Sequence, residues 1–192
     1  MRSLLSKRLE RVSKSLVASK TALPLDLKLQ TAEVVLRLMD RRKPFGLFVI
    51  LGWQRKWRDY LDISDSQQDI FSGYRIDIMS LKSGRRRRRD VRATVNFDGA
   101  ILIDRRGVII HSGAVIEGLR PRVIAQKINP GRFRDLSEQF GFETKVHTRH
   151  LAAITASHVF KGTTVFTVSE ETGAFHVFEG GRIVHVRKTP ID

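Results

Sequence analysis

Between Pro44 and Gly52 the chain carries its longest uninterrupted apolar run, Phe45 to Leu51 (FGLFVIL). Seven residues suit a strand and fall far short of a membrane span. A strand without polar alternation has to be covered on both faces, which excludes a one-sided sheet. Upstream, Leu29, Ala32, Val35, Leu36 and Met39 recur on one face, predicting a helix over Leu27 to Met39. The turn Arg41-Arg42-Lys43-Pro44 joins the two. Helix, short turn and continuous apolar strand together predict an α/β layer.

Beyond Phe97 the pattern sharpens. Ala100 to Asp104 (AILID) and Val108 to Ala114 (VIIHSGA) are β-rich runs joined by Asp104-Arg105-Arg106-Gly107, a hairpin signal. Arg132 to Phe140 carries a short helical pattern. His150 to Phe160, with Ala152, Ala153, Ile154, Ala156 and Val159, predicts a tightly packed helix. A meander follows: Thr164 to Val168, Ala174 to Phe178 and Arg182 to Val186. Between Trp53 and Ser83 the signal is weak. Asp69 to Tyr74 reads as a structured loop, and Ile76, Ile78, Met79 and Leu81 fit a strand or a short helix.

The N-terminal segment places Leu5, Leu9, Val12 and Leu16 at three- and four-residue steps among Lys7, Arg8, Arg11, Lys14 and Lys20. This predicts a basic amphipathic helix ended near Pro24, packed on the domain or on a second subunit rather than lying on a membrane. The chain therefore divides into this helix, residues 1–24, and one domain, residues 25–192.

Composition sets the partners. There are 35 Lys and Arg against 20 Asp and Glu, a formal charge of +15, which attracts nucleic acid, anionic lipid or nucleoside triphosphates. With no cysteine, disulfides, thiolate metal sites and cysteine nucleophiles are all excluded. A basic N-terminus without a continuous apolar core, and no run of membrane-spanning length, predict a cytoplasmic protein. The run Arg85 to Arg89 reads either as a solvated stretch or as the first turn of a helix reaching Asn96. A nucleic-acid site is the sharper reading, but no aromatic residues are interleaved for base stacking. Nucleic acid is thus an allowed partner, not an expected one.

Three polar clusters stand at the ends of apolar elements: Asp98-Gly99-Ala100 before a strand, Thr148-Arg149-His150 at a helix start, and Ser169-Glu170-Glu171-Thr172-Gly173 after a strand. Ligands of open α/β sheets gather at such ends. A helix N-terminus bearing Thr, Arg and His suits a triphosphate, and carboxylates suit a divalent ion whose shell phosphate completes. Each cluster alone also reads as an ordinary turn or a decorated surface.

In their order and spacing, Asp98-Gly99-Ala100, Thr148-Arg149-His150-x-Ala152-Ala153 and Val168-Ser169-Glu170-Glu171-Thr172-Gly173 resemble the motif set of the diadenylate cyclase family. The strand ending in Phe178-Glu179-Gly180-Gly181 resembles it too. Arg42-Lys43-Pro44-x-Gly46-x-Phe48-Val49-Ile50 and Phe71-Ser72-Gly73-Tyr74 are similar to its stand-alone and archaeal-type members. The likeness covers about Leu27 to Val186. It implies a single α/β domain with a central mixed β-sheet flanked by helices, condensing two ATP into cyclic di-AMP in face-to-face subunits of a homodimer or higher oligomer.

By the same resemblance, Asp98 assists the ribose 3′-hydroxyl near the metal, and Gly99 and Ala100 line ribose and base. Thr148, Arg149 and His150 grip the triphosphate, with Arg149 and His150 among the catalytic groups. Ser169 contacts phosphate, Glu171 binds Mg²⁺ or Mn²⁺ with Glu170 in support, and adenine lies near Val115 and Ile116. Two departures stand out: Leu151 where many bacterial members carry a second arginine, and His147 where they carry glycine. They keep an alternative open, a catalytically silent nucleotide- or nucleic-acid-binding module on the same fold.

Overall fold

The apolar run becomes the hub of a sheet. In the computed structural model, which describes residues 4–19, 21–40, 45–63, 67–82 and 90–187, strand β1 (Leu47–Trp53) is buried along its whole length. It pairs in parallel with β4 (Ala100–Asp104) and antiparallel with β6 (Thr164–Val168). Around this centre an eight-stranded mixed sheet runs β2-β5-β4-β1-β6-β7-β8. Its other members are β2 (Leu61–Asp62), β3 (Ile76–Asp77), which also pairs with β5, β5 (Val108–Ile116), β7 (Phe175–Glu179) and β8 (Arg182–Arg187). The expected hairpin is β4–β5, turning where the Asp104 carboxylate accepts the N–H groups of Arg106 and Val108.

Alternate residues of β1 feed two cores. Leu47, Val49 and Leu51 face helices α1 (Leu4–Val17) and α2 (Leu25–Met39), packing with Val12, Leu16, Ala32, Val35, Leu36 and Phe166. Phe48 and Ile50 face α3 (Pro121–Ile128), α4 (Leu136–Gln139) and α5 (Thr148–Val159), packing with Ala125, Ala153, Ile154 and Phe178. The N-terminal helix thus belongs to the domain's first core. Arg8 bonds Asp40 of the α2 cap at 2.6 Å, and the Ser15 hydroxyl lies 3.0 Å from His185 Nδ1 on β8.

Where the chain leaves α1, a polar knot is sealed inside. Lys28, 2% exposed, sits 3.5 Å from the Glu179 carboxylate and donates to the hydroxyls of Ser19 and Thr21. Glu179 also accepts from Thr21 and Thr164 at 3.2 and 2.6 Å. The amphipathic reading of α2 missed this buried lysine. A paired, hydrogen-bonded charge tolerates such a place.

Several boundaries differ from expectation. Pro121–Ile128 forms a helix that the sequence reading left out, with proline at its first turn, where a missing N–H costs nothing. The pattern over Arg132 to Phe140 yields only the turn Leu136–Gln139, capped by Asp135 accepting from Glu138 N–H. Ile76 to Leu81 divides between the short β3 and a 3-10 helix, Ile78–Lys82. The arginine run Arg85 to Arg89 and the turn Arg41 to Pro44 lie outside the described residues. No helix among the described residues is long and apolar enough to cross a membrane.

Candidate active site

Strand order brings the three polar clusters to one end of the sheet. The pairs Val49 with Ile101 and Leu47 with Val168 carry β4, β1 and β6 toward that end in register. Gly46 and Ser169 come next beyond the pair Leu47–Val168, and Asp98 precedes β4 through the bend at Gly99, so all three residues stand at this end. Ala100 pairs with Ala114 on β5, so Val115 and Ile116 finish at the same end. There β2 edges β5, Leu61 against Ile116 and Asp62 against Val115, leaving Val115 exposed.

Helix α5 begins above this end. The Arg149 guanidinium fills the space over Gly46 that a side chain would occupy: a Cβ built on Gly46 would lie 2.0 Å from Nη1 and 2.4 Å from Cζ. Arg149 is also 3.8 Å from Glu170. The residue at the helix N-cap, His147, makes no side-chain cap bond, and its Nε2 instead meets Glu171 Oε2 at 2.8 Å. Thr148 is exposed on the first turn. Among the clusters, Ser169 and Ala100 are buried, while Asp98, Gly99, Glu170 and Glu171 are exposed. The Ser169 hydroxyl accepts the Thr172 N–H at 3.2 Å, and Gly173 N–H bonds the Ser169 carbonyl at 2.9 Å, which folds the cluster into a tight turn.

His150 is the buried member of its cluster. It lies on the inward stripe of α5 with Ala153, Ile154 and Ser157, three, four and seven residues on, and is 5% exposed. Its ring meets His176 edge to face at 4.8 Å and Phe142 at 6.2 Å. Burial, and then the neighbouring Arg149 and His147 charges, push its pKa down to about 4, and burial does the same to His176. Burial therefore favours the neutral form of both rings at pH 7. Leu151 packs against the second core. The charge of the first turn therefore comes from Arg149.

Asp98 is held by a part of the chain whose pattern was unreadable. Its backbone N–H donates to Gln68 Oε1 at 2.8 Å. Gly99 adopts φ +84°, and a Cβ there would lie 2.7 Å from the Ala114 carbonyl oxygen, so this close approach to β5 requires glycine. Gln68 and its neighbour Asp69 carried no motif; the available signal was an acid followed by an apolar pair, Ile70 and Phe71, inside a polar loop.

No group of three or more His, Asp or Glu among the described residues forms a ready metal cage. Asp98, Glu170 and Glu171 nevertheless supply exposed carboxylates at the same sheet end, and Mg²⁺ commonly takes only one or two carboxylates plus substrate phosphates. A large cavity of about 520 Å³ lies elsewhere, between α2 and Leu81, Val91 and Arg92. It contains none of the cluster residues.

No family model matches the chain, and no curated protein registers as a match. Among solved structures it is similar to that of a hypothetical membrane spanning protein from Bacillus cereus, at 14% identity and a TM-score of 0.49. The overlap covers 83% of this chain and 62% of the other, so the chain spans less than two thirds of that protein's length. A likeness this loose establishes neither family nor activity.

Proposed function

We propose that the chain is a diadenylate cyclase, condensing two ATP into cyclic di-AMP and releasing two pyrophosphates. The observation that carries this reading is the Arg149 guanidinium lying over Gly46, at the sheet end to which β1, β4 and β6 bring the three polar clusters.

Each new bond joins a ribose 3′-oxygen to an α-phosphorus as the bond to pyrophosphate breaks in line. Negative charge spreads over the phosphoryl oxygens, so positioning and charge stabilisation supply most of the catalysis. Arg149 and the open first turn of α5 would face that charge, and one preorganised donor is typically worth ~3–4 kcal/mol. Asp98 would accept the hydroxyl proton, with Gly99 and Ala100 admitting the ribose closely. Ser169 would lie against phosphate, and Val115 and Ile116 offer an apolar edge for adenine.

Asp98 and Glu171, supported by Glu170, would hold Mg²⁺ or Mn²⁺; Glu171 must first release His147. The ion would neutralise phosphate charge and acidify the attacking hydroxyl. One shelf holds one ATP, so a product with two-fold symmetry calls for two copies facing each other. Control of that encounter by the N-terminal helix is a further part of the proposal, tested by Leu4→Asp and Val17→Asp, both exposed on that helix, and by measuring oligomer size and rate.

The direct test incubates purified protein with ATP and Mn²⁺ or Mg²⁺ and identifies product by mass. Cyclic di-AMP that disappears in Asp98→Asn, at a rate falling faster than linearly on dilution, is the expected result. ATP binding without product would instead favour a silent nucleotide-binding module, the reading favoured by Leu151 and the neutral His150. Binding of RNA or DNA that needs Arg85 to Arg89 and fades steeply with salt would point to a nucleic-acid module.

A further inference from the structure

We infer that Gln68 and Asp69 are positioning residues for Asp98, forming a clamp that fixes the proton acceptor against β5. Four bonds rivet this short loop to one stretch of strand. Asp69, 4% exposed, accepts the Ser112 N–H at 3.0 Å through Oδ1. Its Oδ2 lies 2.8 Å from His111 Nδ1, which must carry the proton toward a carboxylate. The Ser112 hydroxyl donates to the Gln68 carbonyl at 2.6 Å and accepts the Ile70 N–H at 3.2 Å. Ser112 is itself fully buried.

Close packing makes the clamp rigid. A Cβ on Gly113 would lie 2.5 Å from Gln68 Cβ, and Gly113 has φ +65°, so loop and strand touch only because this position is glycine. From that fixed base the Gln68 side chain reaches across to the Asp98 N–H at 2.8 Å. Asp98 is otherwise exposed at the end of a bend, and its neighbour Gly99 presses on the carbonyl of Ala114. The amide bond from one side and the glycine contact from the other leave its backbone one place to sit. The clamp binds no ligand; it acts through Asp98.

The catalytic half of this inference rests on the cyclase reading, and the structural half does not. The test compares Gln68→Ala and Gln68→Glu in the full chain, with Asp69→Asn as the upstream variant. Amide hydrogen exchange at Asp98 reads the clamp. It should quicken in Gln68→Ala and Asp69→Asn, stay slow in Gln68→Glu, which keeps an acceptor oxygen, and leave Leu102 of β4 unchanged. Turnover should fall ~10–100-fold in Gln68→Ala, the effect of displacing a catalytic group by about 1 Å. ATP affinity should hold, so the loss appears in kcat and not KM, and Gln68→Glu should restore most of it. Unchanged exchange at Asp98 overturns the clamp whether or not the protein turns over ATP. Altered exchange with unchanged turnover, or a parallel loss of ATP binding, overturns the positioning role. Wild-type protein that makes no cyclic di-AMP overturns the cyclase reading and the catalytic half together, leaving the exchange result to decide the rest.

Discussion

Replacing Gly46 by alanine tests the site with little disturbance of the fold. The new Cβ would stand 2.0 Å from Arg149 Nη1, 2.4 Å from Cζ and 2.8 Å from Nη2, whereas ordinary contact begins at 3.4 Å. The guanidinium must therefore retreat by at least the difference between 2.0 and 3.4 Å. The obstructing atoms are the far end of a flexible side chain, and Gly46 is not in the left-handed region, so the backbone accepts alanine. Replacing glycine at a compatible position even removes ~0.4–1 kcal/mol of unfolded-state freedom, which offsets part of the displacement. The chemistry has no such relief. Losing one preorganised donor costs ~10²–10³ in rate, so turnover should fall about a hundredfold while the urea midpoint hardly moves. Mass-detected cyclic di-AMP and urea denaturation on the same preparation measure both. A folded variant within about threefold of wild type, a difference under ~0.7 kcal/mol, would refute the reasoning. Arg149→Ala then tells which step failed: if it too is active, the arginine is not used, and if it is inactive, Arg149 works from somewhere other than over Gly46.

Three further outcomes follow from the same contacts. His150 and His176 have pKa values near 4 when folded, against 6.5 for the free side chain, so their contribution is intact above pH 6.5 and is lost as pH falls toward 4, by about 3 kcal/mol per ring. His176→Phe, whose ring can stack with Phe178 as the imidazole does, should blunt the loss of stability between pH 7 and pH 4; a pH dependence equal to wild type in urea titrations would contradict the buried pair. Lys28→Met strands the Glu179 carboxylate and should cost ~3–5 kcal/mol, while Lys28→Met combined with Glu179→Gln should cost less than the sum of the single changes. Strict additivity in a double-mutant cycle would show that the two charges do not interact. His147→Gly removes an exposed polar contact, worth little to stability, and frees Glu171. Half-maximal turnover should then need less Mn²⁺, and an unaltered metal requirement would separate Glu171 from the ion.

Strand positions were readable where alternation or a continuous apolar run was long enough to mark them: β1, the β4–β5 hairpin and the β6–β8 meander stand within a residue or two of their expected places. Between Trp53 and Lys82 the strands are two residues each, too short to carry a period, and they exist because the β5 edge pairs with them. Helix α3 buries only Ile124 and Ala125, which left no visible stripe. The clusters of the candidate site could be found as polar residues at element ends, but their meeting depends on β4 and β6 flanking β1, a tertiary fact. The burial of His150 was not read from its place beside Arg149. One step along a helix turns the side chain by about 100°, and the phase of Ala153, Ile154 and Ser157 already placed it inward.

That inward turn alters how charge must be balanced on the proposed reading. With His150 buried and Leu151 packed against the core, Arg149 is the cation that the start of α5 offers to a triphosphate bearing several negative charges. Peptide N–H groups at a helix start carry only about half a unit of positive charge, and they share it with any anion present. The rest of the neutralisation falls to the divalent ion, yet the carboxylates that would hold the ion are themselves exposed and one is tied to His147. A weakly held metal that arrives with the nucleotide is the arrangement consistent with both facts. Product formation should then track the concentration of the metal–ATP complex and not that of free metal, which distinguishes this site from one with a resident ion.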